Sequence, residues 1–134
     1  RQLTARVEDI VRSEADPWRR MELACAAHIE AAVGGNAIHQ ITGTGLFSIH
    51  EEGLQRRLKA EREHYDRIFR KLVDELGLPR GIDPALFRLA LLGAVNWTRV
   101  WYRKGKMGPN DIARGIIGIF HGGAAPPPKR RAGP

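Results

Sequence analysis

At 134 residues the chain is one domain, long enough to build a real core, and its 43% apolar and 28% charged residues exclude disorder of the whole. The formal charge of +7 suggests a partner of opposite sign, such as nucleic acid. However, Lys129, Arg130 and Arg131 cluster in the tail, and the other basic residues alternate with acids as on a solvated face. Cys25 is the sole cysteine, which excludes an internal disulfide or a thiolate metal cluster, and its apolar setting (LACAAHI) reads as a buried structural thiol. No apolar run reaches membrane-spanning length and no signal peptide is visible, so the cytoplasm is the expected compartment.

Taken in order, Leu3, Val7, Ile10 and Val11 fall on one face of a first helix over about residues 2–14. Asp16-Pro17 is a helix-start signal, with Asp as N-cap and Pro at the first helical position. The stripe Trp18, Met21, Cys25, His28, Ile29 and Ala32 follows, and Gly34-Gly35 ends it. Asn36 can cap a third helix through Ile38 and Ile41, weakened by Gly43 and Gly45. Ser48-x-x-Glu51 is a capping box that opens a long helix to Leu76, with Gly77 as its C-terminal cap. The inward row of that helix contains Glu61, a carboxylate that either lines a cavity or is rotated out to water.

Asp83-Pro84 repeats the start signal and opens a helix to Lys104 (DPALFRLALLGAVNWTRVWYRK) that is apolar over well over half its girth. A surface helix needs a stripe of roughly 100°. The excess requires burial on two sides, against its own domain and against something else. The last helix, Pro109 to His121, sets Ile112, Ile116, Ile119 and Phe120 on one face, broadened by Ala113 and Ile117. Gly115, Gly118 and Gly122 lie on the other side, and the Pro/Gly-rich basic tail from residue 123 reads as disordered. No strand pattern appears. The expected fold is all-α, a bundle of about six helices.

Enzymatic motifs are lacking. Glu61-x-x-His64 is half of a di-iron carboxylate pair with no second copy, and neither His-Glu-x-x-His nor Gly-x-Ser-x-Gly occurs. The other histidines share no spacing and read as structural or exposed. No cofactor or metal is expected. Trp97 and Trp101, four residues apart beside Asn96 and Tyr102, read equally as core packing or as the apolar wall of a small-molecule cavity.

The segment LALLGAVNWTRVWYRKGKMGPNDIAR resembles the junction between the last two helices of TetR-family transcriptional regulators, in particular the KstR2-like repressors of steroid and fatty-acyl catabolism. The resemblance covers about residues 2–122 and is most specific at 89–114. It implies an effector-sensing and dimerisation domain over residues 1–122, with the family's helix-turn-helix DNA reader absent from this stretch and expected upstream of Arg1. The last two helices of each subunit would then form a dimeric four-helix bundle, with Leu91, Val95, Ile112, Ile116, Ile117 and Phe120 at the homodimer interface. A hydrophobic acyl effector, acyl-CoA among the candidates, would meet Glu61, Tyr65, Asn96, Trp97 and Trp101, with Arg99 and Arg103 facing its phosphates. Operator DNA would be reached only through the missing reader, and no membrane contact is implied. The competing readings are a ligand-free helical scaffold and a ferritin-like metal enzyme.

Overall fold

The computed structural model describes residues 2–34 and 52–124. They form five helices: α1 Gln2–Ser13, α2 Pro17–Val33, α3 Glu52–Asp74, α4 Pro84–Trp101 and α5 Pro109–Ala124. No strand occurs among the described residues, and none of these helices is long and apolar enough to cross a membrane. The all-α expectation holds. The short helix expected after Asn36, the Ser48 capping box and the tail beyond residue 124 lie outside the described residues.

Both Asp-Pro signals behave as their chemistry dictates. Asp16 Oδ2 accepts from the Arg19 amide at 2.7 Å, and Asp83 Oδ1 from the Ala85 amide at 3.0 Å, satisfying donors that the first helical turn leaves orphaned. At the start of α5 the acid reaches backwards: Asp111 Oδ2 accepts from the Gly108 amide at 3.0 Å. Helix α4 stops at Trp101, three residues before the expected end. There Tyr102 turns to extended backbone, and its ring packs partly buried against the core.

The element at the centre is α2. Each of the other four helices packs on it. Its middle carries Ala24, Cys25, Ala26 and Ala27, all buried, and these small side chains let neighbours approach from several directions at once. Helix directions follow from the contacts. Arg20 pairs with Glu75 at 2.9 Å while His28 meets Tyr65, so α2 and α3 run antiparallel. Trp18 meets Phe87 while His28 meets Asn96, so α2 and α4 run parallel. Trp18 also stacks on His121 of α5 at 4.0 Å, and Phe87 meets Phe120 edge-on at 5.5 Å. This aromatic cluster closes the bundle at the N-terminal end of α2. The core extends from it through Met21, Ile29, Phe69, Leu72, Val73, Leu91 and Val95.

Gly77 sits at φ +66°, the left-handed conformation that ends α3 and that L-residues adopt at a cost. Gly77→Ala should therefore lower stability by about 1 kcal/mol in denaturant titrations. Gly81→Ala, at an exposed turn position with open space around it, should leave the midpoint unchanged.

Candidate functional site

Helix α2 is enclosed by its neighbours, so a polar residue on its core-facing side must find partners within the protein. His28 is that residue. Its Nδ1 lies 2.7 Å from the Tyr65 hydroxyl of α3 and its Nε2 lies 2.6 Å from Asn96 Oδ1 of α4. With the Asn96 amide oxygen, which can only accept, facing Nε2, that nitrogen carries the proton and Nδ1 accepts from the tyrosine hydroxyl. One imidazole thus ties three helices together through a relay from Tyr65 to His28 to Asn96. Aromatic rings line its inner side: Tyr65 at 5.6 Å from the imidazole and Phe69 edge-on at 6.2 Å. Asn96 itself is exposed, so the relay begins in the core and ends at the surface.

The electrostatics keep this cluster neutral. Burial lowers the proton affinity of His28, more than its hydrogen bond to Asn96 restores. Burial, with a smaller contribution from Cys25, holds the Tyr65 hydroxyl protonated well beyond neutral pH. Cys25, buried beside them, is pushed up to about 12 by burial and by the charge of Glu22, so it is an inert thiol.

Of the residues singled out from the sequence, Tyr65 and Asn96 come together here, joined by a histidine that spacing alone marked as structural. Glu61, one turn before Tyr65 on α3, is half-buried in a groove of about 350 Å³ between α1 and α3, with Thr4, Ala5, Glu8, Ala60 and His64. Its neighbour His64 places Nε2 3.2 Å from Glu8 across that groove. Trp97 and Trp101 are not gathered to the relay: they stand 62% and 46% exposed. Arg99 and Arg103 are exposed as well.

The two apolar arcs of α4 are exchanged relative to the sequence reading. Leu91 and Val95 have no exposed surface, and Ile112 and Ile117 are almost as deep, all within this chain's own core. Residues already covered this way have nothing left to offer a second subunit; Ile116 and Phe120 are half-buried beside them. The outward arc of α4 instead carries Leu86, Leu89, Trp97 and Val100, each about 60% exposed, with Ile119 of α5 at 73%. Gly93, Gly115, Gly118 and Gly122 are exposed among them, with open space where a Cβ would stand. The motif Asn96-Trp97-Thr98 shows the division within three residues. At about 100° per residue they point to the relay, to the outside and to the core, where Thr98 Oγ1 donates back to the Ala94 carbonyl.

The family model described as "Tetracyclin repressor-like, C-terminal domain" matches residues 14–124. The chain belongs to that family. Its members are transcriptional regulators rather than enzymes. Among solved structures, PfmR of Thermus thermophilus, a TetR family transcriptional regulator, shares 27% identity at a TM-score of 0.63, covering 88% of this chain and 66% of its own. KstR2 of Mycobacterium tuberculosis, a ketosteroid transcriptional regulator, shares 22% at 0.63, covering 93% and 66%. AibR, solved with isovaleryl coenzyme A and operator DNA, shares 20% at 0.61, covering 87% and 71%. This TetR-type domain spans about two-thirds of the length of these regulators. None of the curated proteins matches it.

The neutral histidine has a pH signature. The folded state binds a proton at His28 less readily than the unfolded chain, whose value is near 6.5. Stability is therefore undiminished above that value and falls as pH drops below it, levelling off beneath the lowered folded value. Urea titrations between pH 7.5 and 5.5 should show this loss in the wild type and a shallower one in His28→Gln, which stays neutral. Equal slopes would assign the loss to another group. Glu30, held low by its Arg6 hydrogen bond, contributes only below the ordinary carboxylate value of 4.5 and so outside this window.

Proposed function

We propose that the chain is the effector-sensing and dimerisation domain of a TetR-type repressor, acting in the cytoplasm as a homodimer. Its effector is a hydrophobic acyl compound of the acyl-CoA class. The observation that carries the reading is the double burial demanded by α4. Its inward arc is satisfied by α2 and α5, and its outward arc is left apolar beside that of α5. A solvated helix would carry charges there.

In the proposed dimer the outward arcs of α4 and α5 meet their own copies across a twofold axis, which makes the contact self-complementary. Leu86, Leu89, Trp97, Val100 and Ile119 supply the apolar surface. Gly115, Gly118 and Gly122 allow the helices close approach. Ile116 and Phe120 flank this face from the core side, whereas Leu91, Val95, Ile112 and Ile117 support it from beneath. The operator would be bound through a helix-turn-helix region outside this chain.

For the effector, the relay His28–Tyr65–Asn96 supplies the polar anchor, and the groove of about 350 Å³ at Glu61, one turn from Tyr65 along α3, offers space between α1 and α3. Arg99 and Arg103, exposed near the C-terminal end of α4, are the candidates for the ligand's phosphates, which the pantetheine arm carries well away from the acyl carbonyl. The complex of AibR with isovaleryl coenzyme A and operator DNA supports the ligand class. Binding would act by favouring one of two arrangements of the subunits.

Two measurements test this reading. Ile119→Asp or Leu89→Arg would bury an unpaired charge in the interface and should weaken dimerisation about 30-fold or more. Analytical ultracentrifugation reads that outcome, and dimers unaffected by either change would place the interface elsewhere. Thermal-shift titration with acyl-CoAs of four to sixteen acyl carbons should stabilise the protein. No shift with any of them would overturn the ligand class.

A further inference from the structure

From the relay's geometry we infer that His28, Tyr65 and Asn96 form a neutral reader for the carbonyl of a thioester, ester or amide, and that the site therefore selects an acyl conjugate over the free carboxylic acid. The inference rests on the acyl reading above and deepens it.

The argument starts from the count of donors and acceptors. Asn96 Oδ1 is occupied by His28, and the rest of that amide is an NH2 group with two donors. The described residues leave those donors uncommitted, and the residue that carries them is exposed. A relay running the opposite way would also present a donor. Asn96 would then donate to Nε2 and Nδ1–H to the Tyr65 oxygen, which frees the tyrosine O–H to point outward. In both directions the cluster offers a hydrogen-bond donor and no charge.

What such a donor accepts is decided by desolvation. A carboxylate that leaves water needs a cation or several charge-assisted hydrogen bonds to replace its hydration. The relay has neither: its three members are neutral, and the side chains behind it are the ring of Phe69 and the protonated thiol of Cys25. A carbonyl carries much less hydration and is satisfied by one or two N–H donors. The relay also fixes the direction of those donors. Rotation of the Asn96 amide is restrained by its 2.6 Å contact to His28, which is itself held by Tyr65 at 2.7 Å. A preorganised donor gives specificity at lower entropic cost than a free side chain.

The test isolates one atom. The tightest-binding member of the acyl-CoA series is compared with the S-alkyl-CoA thioether of the same chain length, which lacks only the carbonyl oxygen. Isothermal titration of the wild-type protein should show the thioester bound about three- to tenfold more tightly, the range expected for one well-placed hydrogen bond. The matching free acid should be the weakest of the three. In Asn96→Ala, whose exposed position lets water take over the contact to His28 and whose folding is checked by circular dichroism, the thioester preference should shrink below about twofold. His28→Phe, which leaves the amide unbraced, should do the same, while His28→Gln should retain part of the preference. Equal binding of thioester and thioether by the wild type would overturn the inference while leaving the acyl-CoA reading intact. So would a preference that survives in both Asn96→Ala and His28→Phe. If no acyl-CoA binds at all, the acyl-CoA reading itself fails and this inference falls with it.

Discussion

Everything in this domain depends on how closely four helices can approach one. The middle of α2 is built from Ala24, Cys25, Ala26 and Ala27, each at most 5% exposed, and no larger side chain fits there without driving α1, α3, α4 or α5 away. Enclosure of α2 has a chemical consequence. Any polar group on its enclosed faces loses water and must be satisfied by a neighbouring helix. His28 is the place where that obligation is met, and α3 and α4 each contribute one partner. The close packing and the polar relay are therefore one design: the same small residues that bring the helices together bring Tyr65 and Asn96 within reach of a single ring.

The charges are distributed to match. Inside the bundle His28, Tyr65 and Cys25 are all held in their neutral forms, by burial in each case. Ion pairs lie at the periphery, where Arg6 meets Glu30 between α1 and α2, and Arg20 meets Glu75 beyond the end of α3. Pairs of this exposure contribute roughly 0–1 kcal/mol each, so they bias helix register more than they hold the fold. Arg88 sits differently. Its side chain is mostly covered, its Nε finds no hydrogen-bond partner among the described residues and lies 3.6 Å from Asp66, so it anchors α4 to α3 by charge rather than by directed bonding.

Local features of this architecture were legible in the sequence because their causes are local. The two Asp-Pro starts, the left-handed glycine after α3 and the 3.6-residue stripes each depend on a few neighbouring residues. The breadth of the apolar sector on α4 was legible too. Which arc faces which way was not. Periodicity measures angles between side chains and carries no reference to the direction of the core. Leu91 lies in the core and Trp97 outside it, the reverse of the expectation, for that reason alone. His28 was missed because its spacing places it on an ordinary core stripe. Its importance comes from Tyr65 and Asn96, residues 37 and 68 positions away that no pattern in the sequence connects to it. The only signal was a histidine among alanines, a polar residue where burial could be foreseen.

In the proposed reading helix α4 carries two separate duties on one rigid body. Asn96 stands at the edge between its inward and outward arcs, one residue from Trp97 on the face proposed to meet a second subunit. A ligand held by the Asn96 amide would not need to break the relay, because the oxygen bound to His28 and the nitrogen offered to the ligand are different atoms. Occupation would thus add a restraint on α4 relative to α2 and α3 instead of removing one. The coupling to the partner is then a matter of geometry. A helix that rotates about its axis moves Leu89, Trp97 and Val100 together, and a packed twofold interface accommodates such a rotation only by shifting between discrete arrangements. The energy available for that shift is limited to the difference in ligand affinity between the two arrangements. A single directed hydrogen bond at Asn96 is a source for it, because the bond is sensitive to rotation of α4.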